Sequence, residues 1–337
     1  MTNNKINKLK YYLNLKNLDG YIVPKNDQFF SEYAYPNRLK EISNFSGSAG
    51  LAVILKDKNF LFVDGRYTLQ AKIESGKNFY IYEIPKFMPY KILKKTNKLC
   101  LGFDPKLFTN SSLERNFKDS CNLLPLNQNL IDNLKGSKVN IFKNEQFYVL
   151  KDKFAGKSVN SKINKLITNL KTQKIDNIFI SAPENVAWLL NLRGKDNPHS
   201  PIPNCQIILT KNKKIYFFSS KKKIKKIKKL YPYKNFNFFN FNEFVSIIYK
   251  LPGKFFCIDK STCSIFFESI IESKFNFKSF TDPCYIMKAI KNKTEIKNMI
   301  KTHILDGAAL TKFIYWMKNN KNYNLTEIDA EKKLEKF

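Results

Sequence analysis

Arginine is scarce in this basic chain. Among 59 Lys and Arg residues, only Arg38, Arg66, Arg115 and Arg193 are arginine. Base readout and bidentate phosphate clamps favour Arg, so the net charge of +31 points to no specific nucleic acid. The lysines run through the whole chain beside Asn, Ile and Phe, the profile of a coding bias; net charge bears on solubility and non-specific binding, not on fold. Histidine is scarcer still, with two residues. Neither His199 nor His303 has a carboxylate cluster in sequence, and no HExxH occurs, which excludes a helical zinc-peptidase motif. The six cysteines form no CxxC. They read as free thiols of a reducing cytoplasm, not as a disulfide frame or zinc site. No apolar run reaches the roughly 18 residues that a transmembrane helix needs, so no membrane partner is expected. Residues Met1 to Leu15 alternate Lys and Asn with apolar residues and hold no apolar h-region, so no signal peptide is expected. Apolar material is plentiful, at 43% hydrophobic and 15% aromatic, which excludes a disordered chain.

The chain repeats itself. Lys5-Ile6-Asn7-Lys8-Leu9 recurs as Lys162-Ile163-Asn164-Lys165-Leu166. Ten residues after each Leu, an Asp opens an apolar run: Asp19-Gly20-Tyr21-Ile22-Val23 and Asp176-Asn177-Ile178-Phe179-Ile180. Both read as helix, turn, strand. Val53 to Val63 matches Ile208 to Phe218 as a hairpin, and Leu101-Gly102-Phe103-Asp104 answers Phe256-Cys257-Ile258-Asp259. Three matches in one order at nearly one offset predict two homologous α/β domains, ending near 133 and near 285. Leu134 to Val159, with Gly136 and Gly156, is the expected linker.

Lys221 to Lys229 is almost pure lysine. The pattern predicts a surface helix with Ile224, Ile227 and Leu230 facing a sheet, in preference to a phosphate site. Beyond Pro283, Asn292-Lys293-Thr294-Glu295 has the form of a capping box. It predicts one long amphipathic helix bearing Ile296, Met299, Ile300, His303 and Ile304 on its apolar face. There His303 is expected to pack rather than bind metal. Thr326 caps a second helix running to Phe337, and nothing in the sequence is left to bury either apolar face. The sequence therefore reads as unfinished at its C-terminus.

Arg66 is the one candidate site residue. The second copy has Ser219-Ser220-Lys221 where the first has Asp64-Gly65-Arg66, so the fold does not require Arg there. Gly65 permits a tight turn that presents the side chain, and a guanidinium fork suits a peptide carbonyl or carboxylate. An ion pair with Asp64 is the structural alternative. Gly47-Ser48-Ala49-Gly50 lacks the ending of a phosphate loop. Ser46 and Ser48 have no His partner in sequence. Arg193 and Asp196 flank Gly194 and are expected to form a structural pair, with substrate contact as the alternative. Trp188 is expected to pack.

Three segments together resemble the aminopeptidase P family, the Xaa-Pro aminopeptidases of the pita-bread metallopeptidases. The first runs from Asp19-Gly20-Tyr21-Ile22-Val23-Pro24, with Asp27 and Ser31-Glu32-Tyr33, through Asn44 to Gly50 and on to Val63-Asp64-Gly65-Arg66-Tyr67. The second is Ala187-Trp188-Leu189-Leu190-Asn191-Leu192-Arg193-Gly194 with Asp196, Pro198 and Pro201. The third is Lys291-Asn292, Glu295, His303, Asp306-Gly307-Ala308-Ala309 and Leu325-Thr326-Glu327-Ile328.

The resemblance implies an α/β fold of two creatinase N-terminal-like domains with mixed sheets, at 1–133 and 160–285. A linker at 134–159 joins them, and residues 286–337 hold the first helices of a pita-bread catalytic domain. It implies cleavage of the bond before proline in Xaa-Pro peptides, a cytoplasmic homodimer, and two divalent metal ions, typically manganese, that activate a water. It also implies that Arg66 reaches substrate. The family's metal ligands, two Asp, one His and two Glu, lie beyond these helices, so neither a metal ligand nor a catalytic residue is assigned here. A non-catalytic peptide- or protein-binding module on the same scaffold is the alternative, and a salt-sensitive nucleic-acid binder is a third reading.

Overall fold

The computed structural model describes residues 2–94, 98–134, 146–231, 234–321 and 324–337. The first copy runs α1 (Thr2–Leu15), β1 (Gly20–Pro24), α2 (Arg38–Ser43), β2 (Leu51–Leu55), β3 (Asn59–Asp64), α3 (Thr68–Ser75), β4 (Tyr80–Ile84), α4 (Pro89–Leu93), β5 (Leu99–Phe103), α5 (Asn110–Phe117), β6 (Cys121–Pro125) and α6 (Leu130–Asn133). Two short elements follow, β7 (Phe147–Val149) and α7 (Asp152–Ala155). The second copy runs α8 (Val159–Thr172), β8 (Asn177–Ile180), α9 (Pro183–Leu189), β9 (Leu192–Gly194), β10 (Gln206–Thr210), β11 (Ile215–Ser219), α10 (Lys221–Leu230), β12 (Phe236–Asn240), α11 (Phe244–Lys250), β13 (Phe255–Ile258), α12 (Ile265–Glu272) and β14 (Asn276–Ser279). Then come α13 (Pro283–Ala289), α14 (Lys293–Asn319) and α15 (Glu327–Glu335).

The repeat in sequence becomes a repeat in topology. One six-stranded sheet has the order β4-β3-β2-β1-β5-β6 and the other β12-β11-β10-β8-β13-β14. In each, the two hairpin pairings are antiparallel and the three others parallel, so both sheets are mixed. The repeated aspartates do the same work twice. Asp19 accepts the Cys100 N–H at 2.7 Å, and Asp176 accepts those of Lys254 and Phe255 at 2.7 and 3.0 Å. Each carboxylate thereby ties the first strand to the crossover strand beside it. Asp104 and Asp259, which follow those crossover strands, each accept the N–H two residues on, from Lys106 at 3.0 Å and Ser261 at 2.9 Å. These are side-chain turns that stop a strand.

Helices cover both faces of both sheets, so successive strand residues enter different cores. Tyr21 and Val23 pack with Leu9 and Leu13 of α1, whereas Ile22 packs with Leu113 and Phe117 of α5. Ile178 and Ile180 pack with Leu166 and Leu170 of α8, whereas Phe179 packs with Phe244 of α11 and Phe267 of α12.

Of the segment read as a linker, residues 135–145, Gly136 among them, lie outside the described residues. Leu134 packs on the first core, whereas the stretch from 146 onward is built into the second copy, since β7 pairs antiparallel with β9. The lysine-rich run is the helix α10, but its inward face differs from the expectation. Lys223 and Ile227 are buried, Ile224 is half-buried and Leu230 is exposed. A buried carboxylate on the neighbouring loop draws Lys223 inward. The long helix α14 forms with its capping box, yet it contains no buried residue. His303 is exposed, contrary to its expected packing role, because nothing among the described residues covers that face.

Candidate functional site

Arg66 follows directly from the end of β3. The Asp64 carboxylate accepts the Arg66 backbone N–H at 3.0 Å, Nε–H at 3.1 Å and Nη2–H at 2.7 Å. This caps a single 3-10 turn, Gly65–Tyr67. The hydrogen bond from Arg66 holds the Asp64 carboxyl below its ordinary value. The ion pair named as the structural alternative therefore exists. It does not consume the fork, because the Arg66 side chain remains 72% exposed and Nη1 bonds no described residue. Tyr67 lies alongside, its ring centroid 5.2 Å from the guanidinium carbon, and its hydroxyl is 2.8 Å from that of Ser48. Gly65 is not at positive φ, and an added Cβ would meet only Glu83 at an ordinary 3.5 Å. The turn is thus made by the Asp64 cap, not by glycine's freedom.

The loop after β1 carries the other part of the first motif. Asp27 is 4% exposed and accepts the N–H groups of Phe29, Ser31 and Tyr35 at 2.9, 3.2 and 3.3 Å. Burial raises its pKa against those bonds. The knot projects Ser31, Glu32 and Tyr33 toward the second copy. Ser31 Oγ donates to Asn197 Oδ1 at 3.2 Å. The Tyr33 and His199 rings lie 5.5 Å apart, and Phe29 meets Phe241 edge-on at 5.6 Å. Between them lies a cleft of about 330 Å³ lined by Ser31, Glu32, Tyr33, Glu184, Asn197 and Ser200 among others. The Glu32 charge also raises the Arg66 pKa, behind the larger effects of Asp64 and Tyr67. Glu32 was visible in the sequence only as part of a motif; no spacing rule singles it out.

The second motif builds the facing wall. Arg193 Nη1 donates to the carbonyls of Ala187 and Leu192 at 3.0 and 2.9 Å. Asp196, 1% exposed, is ion-paired with Lys223 and accepts the Asn204 N–H at 2.7 Å. The expected Arg193 and Asp196 pairing is thus replaced by separate partners, backbone carbonyls for Arg193 and Lys223 for Asp196. Trp188 packs on the second core. Ser46 bonds Glu74 through N–H and hydroxyl, both at 2.7 Å, and the Ser48 hydroxyl meets that of Tyr67, so the described partner of neither serine is a histidine.

Among the described residues no group of three or more His, Cys, Asp or Glu side chains is placed to hold a metal ion. His199 lies in a loop with its ring tilted against that of Tyr33, and His303 stands on the exposed α14. This donor set does not fit a dinuclear metal centre. Of the cysteines, Cys100 is half-buried and the other five are buried; burial pushes the Cys121 thiol up to about 11.

A family model of the creatinase/prolidase N-terminal domain matches residues 5–133, and a second of the same description matches residues 139–295. A probable Xaa-Pro aminopeptidase P of Paracoccidioides brasiliensis (strain Pb03) is 31% identical over 100% of this chain and 59% of its own length. Xaa-Pro aminopeptidase 1 of Dictyostelium discoideum is 30% identical over 99% of this chain and 57% of its own. The crystal structure of X-prolyl aminopeptidase from Caenorhabditis elegans, described as a cytosolic enzyme with a di-nuclear active site, matches with a TM-score of 0.85 and 25% identity. That match covers 99% of this chain and 59% of the other. The chain thus spans under two thirds of the length of these relatives.

Proposed function

Because the chain belongs to the aminopeptidase P family, we propose that it forms the N-terminal, substrate-facing part of a metal-dependent Xaa-Pro aminopeptidase. The observation that carries this reading is the Asp64 and Arg66 pair: a guanidinium held along one edge by the carboxylate of its own turn and 72% exposed. Pre-organising Arg in this way lowers the entropy lost when it binds a carbonyl or carboxylate. Arg66 binds the peptide, while the loop bearing Glu32 and the wall at Asn197 shape the approach. Residues 1–133 and 160–285 act as the two creatinase N-terminal-like domains, 134–159 as the link, and 286–337 as the start of the catalytic domain. The enzyme is a cytoplasmic homodimer acting on Xaa-Pro peptides with two divalent ions, manganese by family habit. The described residues offer those ions no fitting ligand set, so the part played by this chain is binding and orientation.

The test is kinetic. In the full-length enzyme, Arg66→Ala raises KM for an Xaa-Pro peptide about 10- to 100-fold, the range for losing a charged hydrogen bond. Arg66→Lys recovers part of it, because the charge remains but the fork does not. Unchanged KM in Arg66→Ala overturns the assignment. The second reading is a non-catalytic peptide- or protein-binding module on the same scaffold; metal-independent peptide binding without any release of the N-terminal residue is its signature.

A further inference from the structure

Lys5 and Lys162 open the two copies of the repeated helix, yet they sit differently. Lys5 pairs on the surface with Glu41 at 2.8 Å. Lys162 is 4% exposed. Its ammonium donates to the Trp188 carbonyl and to Asn191 Oδ1 and lies 4.4 Å from the centroid of the Trp188 ring. No described carboxylate pairs with it directly. Asn191 holds a left-handed turn at φ +48 and donates to Asp152 Oδ1 at 3.2 Å and to the Lys157 carbonyl at 3.0 Å.

The same cluster receives α14. Trp188 Nε1 donates to Glu295 Oε1 at 3.3 Å, while Glu295 Oε2 accepts the Asn292 N–H at 2.8 Å, completing the cap. Asn292 Nδ2 donates to the Ala155 carbonyl at 2.9 Å. Gly156, at φ +72, lets the chain pass so close that an added Cβ would lie 2.2 Å from Asn292 Oδ1. With no residue of α14 buried, these first-turn bonds, together with the one from Asn298 Nδ2 to the Phe154 carbonyl at 3.3 Å, anchor a 27-residue helix on the second copy.

We infer that Lys162 is a positioning residue: its buried ammonium fixes the Trp188 to Asn191 turn and, through the Trp188 indole, sets how α14 docks on the second domain. The inference does not depend on the peptidase reading. A buried ammonium without a paired carboxylate is costly; here two carbonyl oxygens and a ring face hold it. The charged and titratable groups that face it are Glu295 on α14, Arg193 on β9, Asp152 on α7 and Cys284 on α13. Burial is the largest influence and lowers the pKa; Glu295 opposes it, Arg193 adds to it, and Asp152 and Cys284 oppose it, leaving about 8. Because Glu295 raises that value, protonation of Lys162 and docking of Glu295 favour each other. As the pH rises through about 8, the cation is lost and α14 is less firmly held.

Trp188 and Trp316 are the only tryptophans, so Trp316→Phe leaves Trp188 as the sole indole of the intact chain. Its emission is expected to change between pH 6.5 and 9.5 with a midpoint near the value of about 8, and to stay flat when Lys162→Arg is added, since Arg keeps its charge throughout. Lys162→Met is expected to speed amide exchange in residues 296–304 about tenfold, with exchange in α1 unchanged. A transition that survives in Lys162→Arg, or unaltered α14 exchange in a folded Lys162→Met, overturns the inference. Should Lys162→Met fail to fold, the comparison with Lys162→Arg still decides.

Discussion

The ion pair between Lys223 and Asp196 is the strongest test of how the cleft wall is held. Its side chains are 2% and 0% exposed. Lys223 Nζ also lies 4.6 Å from the Phe147 ring centroid, which ties α10 to β7. Replacing Lys223 by Met keeps the apolar stem and deletes the ammonium with its charge and N–H donors. Asp196 then keeps the Asn204 N–H but loses the cation that balances its buried charge. Stranding a buried charge in this way costs about 3–5 kcal/mol, whereas an exposed pair costs about 1 kcal/mol or less. Adding Asp196→Asn removes the stranded charge while keeping the side-chain volume. The double variant is therefore expected to recover at least about 2 kcal/mol relative to additivity. The assay is urea unfolding followed through Trp188 in the Trp316→Phe background, which reports on the second copy. With a slope of about 2 kcal/mol/M, Lys223→Met moves the midpoint down by roughly 1.5–2.5 M. Two small, additive single effects refute the reasoning, for they mean that the pair is solvated and that the 195–204 loop is held by something else.

Asp176 gives the acid limb of stability. Burial raises its pKa, but the bonds from Lys211, Phe255 and Lys254 outweigh this and hold it at about 2. An unfolded Asp titrates near about 3.9. Its contribution is therefore complete above pH 4 and is lost as the pH falls toward 2. Asp176→Asn is expected to flatten the fall in urea midpoint over that window, and a fall identical to wild type counts against it. The thiols supply a different check. At pH 8 a thiol reagent is expected to modify Cys100 promptly and the five buried cysteines only on unfolding. Rapid loss of two or more thiols from the native chain contradicts the packing.

The fold was legible because duplication doubles every signal. A single Asp before an apolar run says little, but Asp19 and Asp176 at matching places each announced a strand start, and each proves to clamp the crossover strand. Arg66 stands out in the sequence for the opposite reason, as a place where the copies differ, and the structure places it exposed on its own turn. What stayed hidden depends on burial of charge. Lys223 and Lys162 are ordinary surface letters in a chain crowded with lysine, and helical spacing alone assigns Ile224 and Leu230 to the core instead of Lys223. Only the three-dimensional neighbours, Asp196 for one and Trp188 with Asn191 for the other, make an inward lysine cheaper than an outward one.

The two copies have thus diverged at equivalent points of one scaffold. After β3 the first copy displays Asp64-Gly65-Arg66 to solvent, whereas after β11 the second turns Lys223 inward to brace a loop. At the repeated first helix the first copy keeps Lys5 outside, whereas the second buries Lys162 beneath the turn that receives α14. At these two places the first copy leaves its cation exposed, Arg66 at 72%, and the second buries one, Lys162 at 4% and Lys223 at 2%. Exchanging the features tests this difference. Moving Asp-Gly-Arg to positions 219–221 of an Arg66→Ala chain preserves a strand end but not the loop that bears Glu32, so on the proposed reading it is expected not to lower the raised KM, and recovery of KM counts against that reading.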